Sequence, residues 1–126
     1  KFGEAFQYSN LMASAAGYVA GHVFYPGMEL GAAFDKAVAD HIWKPLGMAD
    51  STFSVAVAEA GNHATPHATA LDGQTVISSV GSAINRTVAP FRPAGGAWSS
   101  AHDMIRYVGL ELAEGKLPNG QQLVSK

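Results

Sequence analysis

The chain has 126 residues, a formal net charge of −2 at pH 7, 48% hydrophobic residues, only 14% charged residues and no cysteine. That length holds one domain at most, and a charged share well below the roughly 25% of an ordinary soluble domain predicts that much of its surface lies against something else. Eight basic against ten acidic residues leave no electrostatic footprint for a nucleic acid or an anionic membrane, and the missing cysteines exclude disulfide frameworks, Cys-ligated zinc, iron–sulfur clusters and thiol catalysis.

The opening residues, KFGEAFQYSN, lack the basic start, apolar middle and small-residue cleavage site of a secretory signal, so either there is none or the true N-terminus lies upstream. A first helix is expected from about Ser9 to His22, with Met12, Ala16, Val19 and Val23 at helical spacing and Ser9 or Asn10 available to cap the first-turn amides. Its Ala, Ser and Gly residues permit close backbone approach, and the helix is expected to be buried. The run Leu11 to Met28 is interrupted by Gly17, Gly21, His22 and Pro26, so it is not a membrane span.

A second helix is expected from about Ala32 to Lys44, with Phe34, Val38 and Ile42 on one stripe and Asp35, Lys36 and Asp40 on the other. Pro45 is expected to stop it. The pattern then turns β-like: His67 to Leu71 and Gln74 to Ser79 flank Asp72-Gly73, which predicts a short hairpin that must lean on other material for stability. A third helix is expected to begin at Ser99 or Ser100, where Ser100 and Asp103 resemble a capping box, to carry the apolar stripe Met104, Val108 and Leu112, and to stop at Gly115. Gly95-Gly96 is expected to form a tight turn with positive φ ahead of it, and Lys116 to Gly120 a turn behind it. The fold class is therefore mainly α with a small β-hairpin, α+β.

The catalytic inventory is marked by gaps. No Ser has Lys three residues later, and there is no Gly-x-Ser-x-Gly elbow, Lys-Thr-Gly, His-x-Gly or Gly-x-Gly-x-x-Gly. His63 and His67 are four apart, but Pro66 between them denies the regular helix that would align a zinc pair, and no acidic third ligand is near in sequence; no metal is expected. Gly95-Gly96 lacks the Lys-Ser/Thr ending of a phosphate loop. No cofactor is implied. Trp43, Trp98 and Tyr107 read as core or rim aromatics, with Trp98 the candidate to line a substrate cleft.

Four patterns occur in a particular order: FQYSN from Phe6, IWKPLGMADSTF from Ile42, NHATPHA from Asn62 and PAGGAWSSAHDMIRYV from Pro93. Their order and spacing resemble the central part of the class C β-lactamase-like serine hydrolases, the group that also holds DD-peptidases and esterases. The resemblance spans nearly the whole chain and implies the helical region of the serine β-lactamase/DD-peptidase fold. The family assembles its site from Ser-x-x-Lys, Tyr-x-Asn and a late Lys-Thr-Gly or His-x-Gly strand, and only Tyr8-Ser9-Asn10 is present. By resemblance, Tyr8 shuttles a proton to and from the nucleophile, and Asn10 orients the Lys and hydrogen-bonds the substrate's carbonyl or amide.

The resemblance further implies that residues 1–126 are a single partial domain, with the nucleophile, oxyanion hole and α/β sheet outside it. Such a chain is expected to be inert in isolation, to self-associate through faces that the sheet would cover, and to serve a small-molecule or peptide substrate within the larger protein. Two functions stay open: part of an acyl-transfer hydrolase acting on β-lactam, peptide or ester carbonyls, or a non-catalytic binding module on the same scaffold. The compartment is open, although export is common among the proteins it resembles.

Overall fold

The computed structural model describes residues 3–125, the side chain of Ile84 excepted. The chain is about 51% helical. Helix α1 (Asn10–Phe24) opens on Ser9, whose extended backbone (φ −150°, ψ 109°) lets its hydroxyl accept the Met12 amide at 3.2 Å. It closes where the Tyr25 amide bonds to the Gly21 carbonyl at 2.9 Å. A turn through Gly27 (φ +92°) leads to α2 (Leu30–Val38). The Glu29 carboxylate caps α2 by accepting the Gly31 and Ala32 amides, both at 2.9 Å, and those two bonds hold its pKa below the ordinary carboxylate range.

The two helices meet through small residues. A side chain at Gly21 would lie 2.6 Å from the Phe34 amide nitrogen and 2.7 Å from its Cα, and one at Gly17 would lie 3.1 Å from the Phe34 ring. Close approach buries Ala33, Phe34 and Ala37. Phe34 then heads an aromatic cluster, edge-on to Tyr18 (ring centroids 5.9 Å apart) and tilted against Phe53 (5.0 Å), which in turn packs on Trp43 (4.8 Å).

Pro45 does not stop the second helix. Residues Ala39–Trp43 form one π turn, in which the Lys44 amide reaches back five residues to the Ala39 carbonyl, and α3 (Lys44–Leu46) follows with Pro45 in its first turn. The wider turn removes the four-residue bond that proline cannot make and eases the clash of its ring with the carbonyl below. The helix ends two residues later at Gly47, in the left-handed conformation (φ 68°).

Three short helices occupy the stretch read as β-like: α4 (Val55–Ala60), α5 (Ala83–Val88) and α6 (Arg92–Gly95), the last reached through a 3₁₀ turn at Ala89–Phe91. Ser54 and Ser82 cap the first two, so local capping overrides the β-branched run at Val55 and Val57. The hairpin is present but shorter than expected: β1 (His67–Thr69) pairs antiparallel with β2 (Thr75–Ile77), His67 opposite Ile77. The Gly73 amide bonds to Ala70 O at 2.9 Å, and Gly73 alone in the turn has positive φ (+82°). Both strands are exposed throughout.

The last helix, α7 (Ala101–Leu112), starts at Ser100, whose hydroxyl accepts the Asp103 amide at 3.1 Å. Gly115 has φ +80°, and its amide bonds to Leu110 O. The expected burial of α1 is not found, and the apolar stripe of α7 faces outward. In α1 only Ser14 and Gly21 are buried, while Met12, Val19 and Val23 stand 69%, 64% and 71% exposed; α2 and α6 grip the small-residue side of this helix, so its larger apolar residues face outward. In α7 the buried residues are Asp103 and Leu110, and Met104, Val108 and Leu112 are exposed, because a hydrogen-bonded carboxylate fixes which side turns inward. Gly95 and Gly96 do not adopt positive φ either. Gly95 ends α6, and Gly96 (φ −104°) allows contact with Arg92, whose Cβ would lie 2.5 Å from an added side chain.

Candidate active site

Tyr8 and Asn10 flank the residue that caps α1. Tyr8 lies in the irregular segment before the helix, 75% exposed, and Asn10 is its first residue, also exposed. Ser9 rather than Asn10 supplies the cap, which leaves the Asn10 amide uncommitted to helix initiation.

Trp98 sits elsewhere in the chain, at the approach to α7. Its backbone pairs with Thr52 in both directions, Thr52 N–H to Trp98 O at 2.9 Å and Trp98 N–H to Thr52 O at 2.8 Å. Its side chain lines a cavity of about 240 Å³ together with Phe53, Val88, Arg92 and Gly96. Neither Tyr8 nor Asn10 lines that cavity, so the three candidate residues form two separate stations. At this volume, below the roughly 300–1,000 Å³ of small-molecule sites, the cavity suits one side group of a ligand.

Arg92 and Asp103, to which the sequence analysis assigns no part in a site, build the Trp98 station. Arg92 bonds to both carboxylate oxygens of Asp35 (2.6 and 3.2 Å) and to Ala89 O (3.0 Å), which fastens the cavity wall to α2. The Asp35 carboxylate, its main hydrogen-bond partner, raises the basicity of the guanidinium further. The Tyr18 hydroxyl donates to Pro90 O (2.7 Å) and that of Ser14 to Phe91 O (3.3 Å), tying α1 to the same wall. Asp103, 1% exposed, accepts the Asp50 amide and the Ser51 hydroxyl, each at 2.8 Å, and so holds the segment before Thr52 against the segment after Trp98. The partners are more than 50 residues apart in sequence, and no local pattern announces them.

A further cluster joins the end of α1 to the π turn. Asp40 accepts from Tyr25 Oη at 2.8 Å, from Lys36 Nζ at 2.5 Å and from Lys44 Nζ. Lys36, Lys44 and Tyr25 together hold its carboxyl far below the usual carboxylate range, while the bonds to Asp40 raise the values of Lys36 and Tyr25. Tyr25, Lys36 and Lys44 are thereby occupied by one carboxylate. Among the described residues there is no group of three His, Asp or Glu placed to hold a metal ion, and no helix is long and apolar enough to cross a membrane.

An α-rich chain with one small antiparallel hairpin is consistent with the α-rich part of a β-lactamase-type fold. The family described as Beta-lactamase matches residues 1–126, and the chain belongs to that family. No curated protein and no solved structure matches it.

Proposed function

We propose that this chain is the helical wall of the substrate cleft in a serine hydrolase that cleaves β-lactam, peptide or ester carbonyls through an acyl-enzyme. The observation that carries the reading is the Tyr8-Ser9-Asn10 motif at the capped start of α1, with both functional side chains exposed and Ser9 alone engaged as the cap. An exposed phenol can exchange a proton with a nucleophile only when a neighbouring cation favours its anion, and Tyr8 has this role beside a lysine supplied from elsewhere in the protein. Asn10 hydrogen-bonds that lysine and the substrate. Trp98, backed by Phe53 and Arg92, selects an apolar group on the substrate.

The nucleophilic serine, its lysine and the oxyanion donors belong to an adjoining α/β domain. The exposed apolar side chains of α1 and α7 support such a neighbour, since uncovered apolar faces tend to find a partner. Without those groups the chain performs no acyl transfer.

Fluorescent penicillin and a fluorescent fluorophosphonate test this reading on the gene product that contains the chain. The expected result is covalent labelling of a serine in Ser-x-x-Lys, none of the chain alone, and loss of labelling when that serine becomes alanine. A gene product that takes neither label and turns over neither ester nor β-lactam is instead a binding module on the same scaffold.

A further inference from the structure

A groove of about 620 Å³, separate from the Trp98 station, lies where α3, α7 and the C-terminal turn converge. Leu46, Leu110 and Leu117 form its inner lining, Leu110 fully buried and the other two half-buried. Lys44, Arg106 and Lys116 line it too, and all three are exposed. No acidic residue is among its lining residues. Three of the eight basic residues of an acidic chain thus surround one apolar depression.

Asp40 compensates Lys44. Arg106 donates from one guanidinium nitrogen to the Gly47 carbonyl, and among the described residues neither Arg106 nor Lys116 is in an ion pair. Gly47 leaves room for this contact, since an added Cβ there would lie 2.8 Å from the same guanidinium nitrogen. At Gly109, also in the lining, an added Cβ meets nothing within 4 Å, so open space runs along this side of α7.

We propose that this groove binds a small soluble amphiphile with an anionic head, a straight-chain carboxylate, with the apolar tail against Leu46, Leu110 and Leu117 and the carboxylate between Arg106 and Lys116. Charge complementarity selects the head and the leucines select the tail. The volume falls within the range of small-molecule sites. The site shares no lining residue with the Trp98 cavity and does not depend on the hydrolase reading.

Ligand-observed NMR on the 126-residue chain, with octanoate, octan-1-ol and octylammonium at equal concentrations, tests the proposal. Octanoate is expected to bind most tightly and octylammonium least. The double variant Arg106→Gln/Lys116→Gln is expected to weaken octanoate about ten-fold, two exposed charge contacts' worth, and to leave octan-1-ol unchanged. Gly109→Leu, which fills open space and improves helix propensity, is expected to abolish binding of both. Octanoate affinity that survives both variants, or equal affinity for all three probes, overturns the proposal, since the tail is then held by the exposed apolar faces elsewhere. A Gly109→Leu chain that loses self-association while keeping octanoate assigns the groove to a second copy and overturns it as well.

Discussion

At Asp103 a carboxylate cut off from water accepts an amide and a hydroxyl from the segment that follows Gly47. Truncation to alanine leaves the Asp50 amide without its partner in a buried setting, so Asp103→Ala is expected to lower unfolding stability by about 2 kcal/mol in chemical denaturation, and Asp103→Asn by less, because an amide oxygen still accepts. Thr52 pairs with Trp98 a few residues away, so the same variant loosens the Trp98 cavity. Trp98 itself is expected to act in binding: Trp98→Ala raises KM for an aromatic-bearing substrate of the full gene product about five-fold with little change in kcat, the loss of one stacking surface. Steady-state kinetics separate the two parameters. Equal falls in kcat and kcat/KM would place Trp98 at the reacting bond instead.

Among the elements, the contact of α1 with α2 rests on the absence of side chains. A methyl at Gly21 meets the backbone of Phe34, which cannot swing aside, so Gly21→Ala is expected to cost about 2 kcal/mol despite its better helix propensity. At Gly109, where nothing lies within 4 Å, the same change is expected to stabilise by about 0.5 kcal/mol. The π turn carries a pH signature through Asp40. Its carboxyl is depressed, so its contribution is present above the ordinary carboxylate value near 4 and is lost as pH falls. Tyr25 and Lys36 are raised, so theirs is present below about 10 and is lost as pH rises through the raised values. The difference in thermal midpoint between the parent and Asp40→Asn is therefore expected to be greatest near neutrality and to shrink in acid and in alkali.

Features governed by a few adjacent residues were legible in the sequence, namely the Ser9 and Ser100 caps and the turn at Asp72-Gly73, whereas the left-handed stop of α7 falls first on Glu114 (φ 53°), one residue before Gly115. What depends on distant partners was not legible. The outward stripe of α7 follows from Asp103 reaching Asp50 and Ser51, and the half-buried Arg92 from Asp35 on another helix. Periodicity marks which residues share a helix face but not which face a neighbour takes. The helix past Pro45 needed a π turn, which has no local composition signal here. Tyr8 and Asn10 are candidates only through the ordered set of motifs around them.

For the whole molecule, the apolar residues spread over α1, α7 and the hairpin leave a surface that water solvates poorly: Phe6, Leu71 and Leu112 are among the most exposed side chains. The isolated chain is expected to self-associate, with light-scattering mass rising with concentration and returning toward the monomer when charge replaces apolar surface, as in Val19→Lys/Val23→Lys. A constant monomer mass would show that no neighbour is required to cover these faces. Family membership suggests serine-hydrolase acyl transfer in general for the gene product that contains this chain. The most direct measurement is the stopped-flow acylation rate of that gene product by a chromogenic β-lactam or activated ester, with Tyr8→Phe compared against Tyr18→Phe. Removing the Tyr8 hydroxyl should slow acylation by about a hundred-fold or more at unchanged melting temperature, as loss of a general base does, while Tyr18→Phe, which loses only the bond to Pro90 O, keeps its rate. Equal rates for Tyr8→Phe and the parent would contradict the assignment of Tyr8 to the reaction.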